Sequence, residues 1–221
     1  ISNFTYGSGT PILYDITNGL RYTAVVASGV IKFALPPSAT SSSFVLMSSD
    51  VSKVVAVNNI SSRNFVDYSQ IANQGDYVII THPLLQNDGA GNNYINDYAQ
   101  YRSSVDGGSY HVAIVDINQL TDQFAFGIKH HPAAVRFFAD FAVDKFSQTP
   151  SYFYLIGKGL NYVDYRAKES DPNVGKLALI PVFGEPASDN LLTASRTGHY
   201  PRIAIGRLSA ITGSEIKTYL D

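Results

Sequence analysis

The sequence predicts a three-layer α/β/α fold with a mostly parallel sheet, preceded by a small all-β domain. From Gly75 onwards, short continuous apolar runs alternate with stretches of helical period, an order typical of α/β sheets with right-handed crossovers. The first 75 residues instead contain short β-type runs separated by Gly, Pro, Asn and Ser clusters, without a helical pattern. We therefore expect a small antiparallel β domain over residues 1–75 and an α/β unit over residues 76–221.

The β-type runs of the first region follow one another at the spacing of a small sheet or sandwich. They are residues 12–16, 22–27, 30–35, 44–47 and 54–57. A unit of this size buries only roughly 60% of its unfolded surface, which makes it marginal when alone. We therefore expect it to pack on the region that follows.

The α/β region begins with apolar runs that suit strands covered on both faces of a parallel sheet. Strands are predicted at residues 76–81, 111–116, 151–157 and 203–206, with a further strand at residues 177–182. A helix is predicted between the first two strands, at residues 93–104. Such a sheet binds its ligands beyond the carboxyl ends of the strands. The segments expected at this edge are Thr81-His82-Pro83, Asp116, Gly157-Lys158-Gly159 and Gly206-Arg207.

Start signals mark the later helices. Asp116 is predicted to cap a short helix over residues 118–124, and Pro132 is predicted to open a longer helix. The longer helix has an apolar stripe of helical period, formed by Val135, Phe138, Ala139, Ala142, Val143 and Phe146. Thr212 and Glu215 form a capping box for a last helix of under three turns. A helix this short needs a partner surface, so we expect the natural protein to continue.

The composition excludes several classes of protein. The chain has 221 residues, 45% of them hydrophobic, which is enough for a sizeable core. A net charge of −2 gives no general attraction to nucleic acid or anionic membranes. The sequence contains no cysteine, which excludes a disulfide scaffold, a thiolate zinc site and a cysteine nucleophile within these residues.

Local motifs give few signals of catalysis. Gly157-Lys158-Gly159 follows a strand, but Tyr162 stands where a dinucleotide fingerprint needs Gly. A tight turn with close backbone approach is the favoured interpretation, and a flavodoxin-like binding domain is kept as an alternative. His130 and His131 are adjacent, which does not suit a metal site on a helix and favours a loop pair leading into the Pro132 helix. No Gly-x-Ser-x-Gly elbow occurs.

Acidic residues cluster between residues 158 and 200, where they could bind calcium through carboxylates and carbonyls. They are Asp164, Glu169, Asp171, Glu185 and Asp189, and none matches EF-hand spacing. A solvated loop is the default interpretation. Asp164 and Asp189 are kept as metal-ligand candidates, with calcium as the ion, and no other cofactor is predicted.

An ordered set of motifs extends over residues 76 to 221. It consists of residues 75–83, 98–102, 112–116, 123–127, 134–138, 154–157 and 204–208. In order and spacing this set resembles the first half of a gingipain-type cysteine peptidase domain. Residues 14–18 resemble the β region that precedes this domain in large secreted members, which include the surface sortase of the Bacteroidetes type IX secretion system.

The resemblance implies a caspase-like α/β fold in two subdomains, of which this chain holds the first. The family's catalytic Cys and His belong to the half that follows Leu208, so the resemblance assigns no catalytic residue here, His199 included. The substrate-cleft candidates are His82, Lys158, Gly198 and His199. Two positions depart from the family. Lys158 replaces an acid after the third-strand glycine, and Gly198 replaces the acid that precedes His-Tyr in arginine-specific members, so a basic P1 preference is not supported.

The first hypothesis is therefore an N-terminal fragment of a secreted gingipain-like cysteine endopeptidase or sortase. It would form a cleft wall, lack the catalytic His and Cys, and be inactive alone. Its partners would be a C-terminal catalytic subdomain and a polypeptide substrate, at an extracytoplasmic location. The alternative is a non-catalytic surface or secretion-accessory scaffold, which the absent cysteine, Lys158 and Gly198 favour.

Overall fold

The computed structural model describes residues 4–57, 59–195 and 197–220. It divides into two compact units, Ile1–Arg63 and Asn64–Asp221. The predicted fold class is confirmed: the first unit is antiparallel β structure, and the second is a four-stranded parallel sheet flanked by helices. No helix in the described parts of the chain is long and apolar enough to cross a bilayer.

The first unit contains two small antiparallel sheets. Its strands are β1 (Pro11–Asp15), β2 (Leu20–Thr23), β3 (Val25–Ala27), β4 (Val30–Lys32) and β5 (Phe44–Ser48). β1 is central in the order β2-β1-β5, while β3 pairs only with β4. The predicted run at residues 22–27 is therefore divided between two sheets. The prediction of a strand at residues 54–57 is wrong, because these exposed residues pair with no strand within the described residues.

The second unit contains the parallel sheet. Its strands are β6 (Tyr77–Thr81), β7 (Val112–Asp116), β8 (Tyr152–Ile156) and β9 (Ala204–Leu208), in the order β7-β6-β8-β9. Thr81 lies opposite both Asp116 and Ile156, and Ile156 lies opposite Leu208. All four strands therefore end at one edge, as expected from the sequence. Every residue of β6 is buried, which agrees with its continuous apolar run.

The helices cover the two faces of this sheet. They are α1 (Tyr94–Ser103), α2 (Ile117–Phe124), α3 (Ala133–Lys145), α4 (Tyr162–Ala167), α5 (Pro172–Leu177) and α6 (Gly213–Leu220). Asp116 caps α2 as predicted, with Oδ1 accepting the Asn118 N–H at 2.8 Å. Thr212 Oγ1 accepts the Glu215 N–H at 3.3 Å, which is one half of the predicted capping box.

Aromatic side chains of α3 and β8 form the centre of the core. The Phe138 ring is fully buried, with its centroid 5.7 Å from Phe153 and 5.4 Å from Phe124. Tyr68 joins the same cluster, 5.0 Å from Phe138. Residues 64–75, which the sequence interpretation places with the β region, thus share the core of the second unit.

Residues 178–182 are buried and Leu177 ends α5, but none of them is in a strand, so the prediction of a strand at residues 177–182 is wrong. The N–H groups of Leu179 and Ile180 both donate to the Lys158 carbonyl, at 2.9 and 3.0 Å. The Ile180 and Pro181 carbonyls accept from the Arg207 guanidinium, at 3.0 and 2.9 Å. Buried backbone groups must be paired, and here a turn and one side chain pair them in place of a neighbouring strand.

Arg207 of β9 uses all five of its N–H donors. Besides the Ile180 and Pro181 carbonyls, it donates to the Gly157 carbonyl at 2.6 Å. It also donates to both carboxylate oxygens of Asp189, at 2.8 and 2.7 Å. Only 11% of the Arg207 side chain is exposed, so the geometry of these bonds matters for stability. We refer to Arg207 with these four acceptor residues as the Arg207 network.

Two glycines allow this close packing at the end of β8. Gly157 has φ +147°, and a Cβ there would lie 2.6 Å from the Ile180 side chain. A Cβ on Gly159 would lie 2.4 Å from the Ile180 carbonyl oxygen and 3.1 Å from Arg207 Nη1. The Gly157-Lys158-Gly159 turn is therefore a place of close backbone approach, as the favoured interpretation of the sequence expects.

We predict that Arg207→Lys lowers the free energy of unfolding by about 3 kcal/mol, because an ammonium cannot reproduce a five-donor planar fork in a buried site. The measurement is urea denaturation followed by circular dichroism. Arg166→Lys is the matched control: its pair with Glu169 is largely exposed, and its removal is expected to change stability by about 0.5 kcal/mol or less. Equal effects of the two substitutions would contradict the role assigned to Arg207.

We also predict that Gly159→Ala destabilises the chain by about 1–3 kcal/mol, because the added methyl group would overlap the Ile180 carbonyl. Gly175→Ala is the control, since a Cβ in that turn of α5 meets nothing within 4 Å. It is expected to stabilise the chain by up to about 1 kcal/mol through helix propensity. Thermal unfolding measures the stability of both variants. Gly159→Ala is expected to lower the melting temperature and Gly175→Ala to raise it.

Candidate functional site

A cavity of about 170 Å³ opens at the carboxyl edge of the parallel sheet. The cavity lies beyond the end of β6. The chain leaves β6 to form β7 on one side, and β8 later pairs with β6 on the other side, so the strand order reverses here. Open α/β sheets bind their ligands at such a switch point. We call it the switch-point cavity. Its lining consists of His82, Ile117, Asn118, Thr121, Lys129, His130, Leu179 and Pro181.

His82 is held in one orientation directly after β6. Its Nδ1 accepts the Leu84 N–H at 3.2 Å and so caps the short 3-10 helix Pro83–Leu85. In the neutral imidazole the proton must then lie on Nε2. Burial lowers the pKa of His82, and the Asp116 carboxylate opposes that shift. His82 is therefore a neutral hydrogen-bond donor at pH 7.

His130 reaches the same cavity from the loop between α2 and α3. Its backbone is in the left-handed region, with φ 59°, and its ring centroid lies 4.2 Å from that of Tyr165. Burial lowers the pKa of His130; a backbone hydrogen bond with Ala178 opposes the shift, and the charges of His82 and Lys129 add to it. The two histidines of the cavity are thus both neutral at pH 7.

His131 has a different position from its neighbour, as the sequence interpretation of the pair expects. Its Nδ1 accepts the Ala133 N–H at 3.1 Å, at the start of α3. It also borders a second cavity of about 300 Å³, which is mainly apolar. There the Arg136 guanidinium lies 4.8 Å from the centroid of the Phe183 ring and donates to the Ser195 carbonyl at 3.3 Å.

Lys158 is not among the lining residues of the switch-point cavity, but its backbone holds one of them. Its carbonyl holds Leu179, whose side chain lines the cavity, and its N–H donates to the Ala210 carbonyl at 2.8 Å. The Gly157 N–H donates to the Leu208 carbonyl at 2.9 Å. These two amides of the turn are therefore committed to β9 and its extension, which disfavours a phosphate loop at this position.

Gly198 and His199 lie on the segment that precedes β9, outside the lining of the switch-point cavity. A Cβ on Gly198 would lie 2.6 Å from Ser195 Oγ, a rotatable hydroxyl that would have to shift. His199 is exposed. Of the four cleft candidates, only His82 lines the switch-point cavity, and Lys158 holds one of the lining residues, Leu179, through its backbone carbonyl.

The two metal-ligand candidates lie in different surroundings. Asp164 is exposed in the first turn of α4, and Asp189 has both carboxylate oxygens on Arg207. Within the described ranges, no group of three or more His, Asp or Glu side chains is arranged to hold a metal. Calcium binding by Asp164 and Asp189 stays a prediction.

Sequence reasoning missed Asn118, Thr121 and Lys129, and it gave His130 only a structural role. Asn118 and Thr121 carried a usable signal, because they follow Asp116 in the first turns of a helix that begins at the ligand edge. Lys129 and His130 carried none, since their approach to His82 depends on the packing of a loop more than forty residues away in the chain.

Comparisons with known proteins agree with this architecture. A model of peptidase family C25 matches residues 70–221. No curated protein matches the chain. Among solved structures, dimeric latent PorU from Porphyromonas gingivalis is similar, with a TM-score of 0.58 at 16% sequence identity. The match covers 94% of this chain and 21% of the PorU chain, and at this identity it shows a shared fold.

The family model therefore covers well over half of the sequence, including the whole parallel sheet and the switch-point cavity. This match confirms the gingipain-type resemblance of the ordered motifs. The chain belongs to peptidase family C25.

Proposed function

We propose that this chain forms the non-catalytic half of a gingipain-like cysteine peptidase domain, with the carboxyl edge of its sheet as one wall of the substrate cleft. One observation carries the proposal: a peptidase family model matches residues 70–221 of a sequence that contains no cysteine. A cysteine peptidase needs a thiolate nucleophile, so the nucleophile must come from residues outside these 221.

In this proposal the chemistry is divided between two segments of one protein. A Cys and a His from the other segment would attack the peptide carbonyl and protonate the leaving amine, while backbone amides hold the oxyanion. The described residues would bind and orient the polypeptide. His82, Lys158, Gly198 and His199 remain the proposed cleft residues, and His82 has the strongest geometric support because it lines a cavity at the ligand edge.

The setting of the parent protein is part of the same proposal. The gingipain-type resemblance of both regions supports a secreted or cell-surface endopeptidase, or a sortase-like member of a type IX secretion system. The chain spans 21% of the length of the PorU chain that it matches, which supports a much longer parent protein.

A non-catalytic scaffold is the second candidate, and two residues favour it. Lys158 and Gly198 stand where the resemblance leads us to expect acids. Loss of both acids suits a protein that keeps the fold after losing peptidase function. The two candidates differ in whether the parent protein has thiol-dependent activity.

We predict that the pure 221-residue chain cleaves no peptide, whereas the parent protein that contains it cleaves peptides and loses this activity after treatment with iodoacetamide. The assay is a peptide-library digest followed by mass spectrometry, with iodoacetamide-treated chain as the control. Cleavage by the 221-residue chain alone would contradict the division of the chemistry. A parent protein that is inactive with and without alkylation would favour the scaffold.

A further inference from the structure

We propose that the switch-point cavity binds a carboxylate group, supplied by an acidic side chain of a peptide. The carboxylate chemistry follows from the side chains that line the cavity. The choice of a peptide as its carrier rests on the proposed function.

The first argument is the hydrogen-bonding character of the lining. Four side chains of the lining can donate a hydrogen bond into the cavity: Asn118 through its amide, Thr121 through its hydroxyl, Lys129 through its ammonium and His82 through Nε2. His130 is not counted, because it already makes a hydrogen bond with the Ala178 backbone. No carboxylate is among the described lining residues. Asp116 lies close by, but its Oδ1 accepts the Asn118 N–H and caps α2. A ligand with acceptor atoms therefore matches this lining.

The second argument is an unused donor. Thr121 is only 9% exposed, and its hydroxyl makes no hydrogen bond to another described residue, although a helical Thr commonly bonds the carbonyl four residues earlier. Because Thr121 lines the cavity, its hydroxyl can donate to a ligand oxygen there. This hydroxyl points to an acceptor as the occupant.

The third argument excludes a metal bound through His82. Its Nδ1 accepts the Leu84 N–H, so Nε2 carries the proton and has no lone pair to give a cation. A protonated Nε2 is instead a donor to an oxygen. The cavity thus favours an anion over a divalent metal.

The fourth argument concerns charge. Lys129 is the one cation among the lining residues, and it forms no ion pair within the described part of the chain. Because the Asp116 carboxylate also acts on this site through its effect on His82, one ammonium suits the single charge of a carboxylate better than the double charge of a phosphate. A cavity of about 170 Å³ has room for a carboxylate and the methylene groups that carry it.

The test is a titration of the 221-residue chain with N-acetyl-glutamyl amide and, separately, with N-acetyl-glutaminyl amide. Changes in the NMR chemical shifts of the chain report the binding. The glutamyl compound is expected to bind at least about 10-fold more tightly, with shifts at Asn118 and Thr121. Lys129→Met and Thr121→Val should each reduce the affinity for the glutamyl compound by about 5-fold or more. Thr121→Ser keeps the hydroxyl and should bind this compound as tightly as the unchanged chain does. Lys145→Met, at the far end of α3, is the matched control and should change nothing.

Several results would overturn the proposal. They are equal binding of the two amides, no binding of either, tighter binding of inorganic phosphate than of the glutamyl compound, or saturable binding of Zn²⁺ that shifts His82. Melting curves of each variant show whether it is folded. Because the titration needs no catalysis, its outcome is separate from the peptidase assay, and either proposal can fail alone.

Discussion

The arrangement of the ligand edge depends on one buried guanidinium. Arg207 comes from the last strand of the sheet and donates all five of its N–H groups, to the turn after β8, to the segment at residues 177–182 and to Asp189. In a buried setting each unpaired carbonyl would cost more than its hydrogen bond contributes, so the network is stable only when it is complete. One side chain thereby joins the turn after β8, the segment at residues 177–182 and Asp189.

The switch-point cavity follows from this constraint. Leu179 and Pro181 form one wall of the cavity, and both belong to the segment that the Arg207 network and the Lys158 carbonyl hold in place. The opposite wall is α2, whose position after β7 is set by the Asp116 cap. Two neutral histidines and one lysine complete the lining. Hydrogen bonds of the backbone thus hold both walls of the cavity in place.

Much of the fold was predictable because its signals are local. The buried runs that became β6 and β7, the Asp116 cap and the helix that begins after Pro132 each depend on residues within a few positions of one another. The segment at residues 177–182 was predicted wrongly as a strand, because an apolar run looks the same whether a neighbouring strand or a distant arginine pairs its carbonyls. For the same reason the sequence indicated His82 but not its neighbours Lys129 and His130, which the tertiary packing alone brings to the cavity.

The central claim is that this family member takes its nucleophile from outside the 221 residues while contributing a binding wall. Mass-spectrometric mapping of the residue that an electrophilic peptide labels in the parent protein tests this most directly. The expected result is one labelled cysteine outside the 221 residues, protected by competing peptide substrate. A covalent adduct on a residue of this chain, such as Lys158 or His199, would contradict the claim.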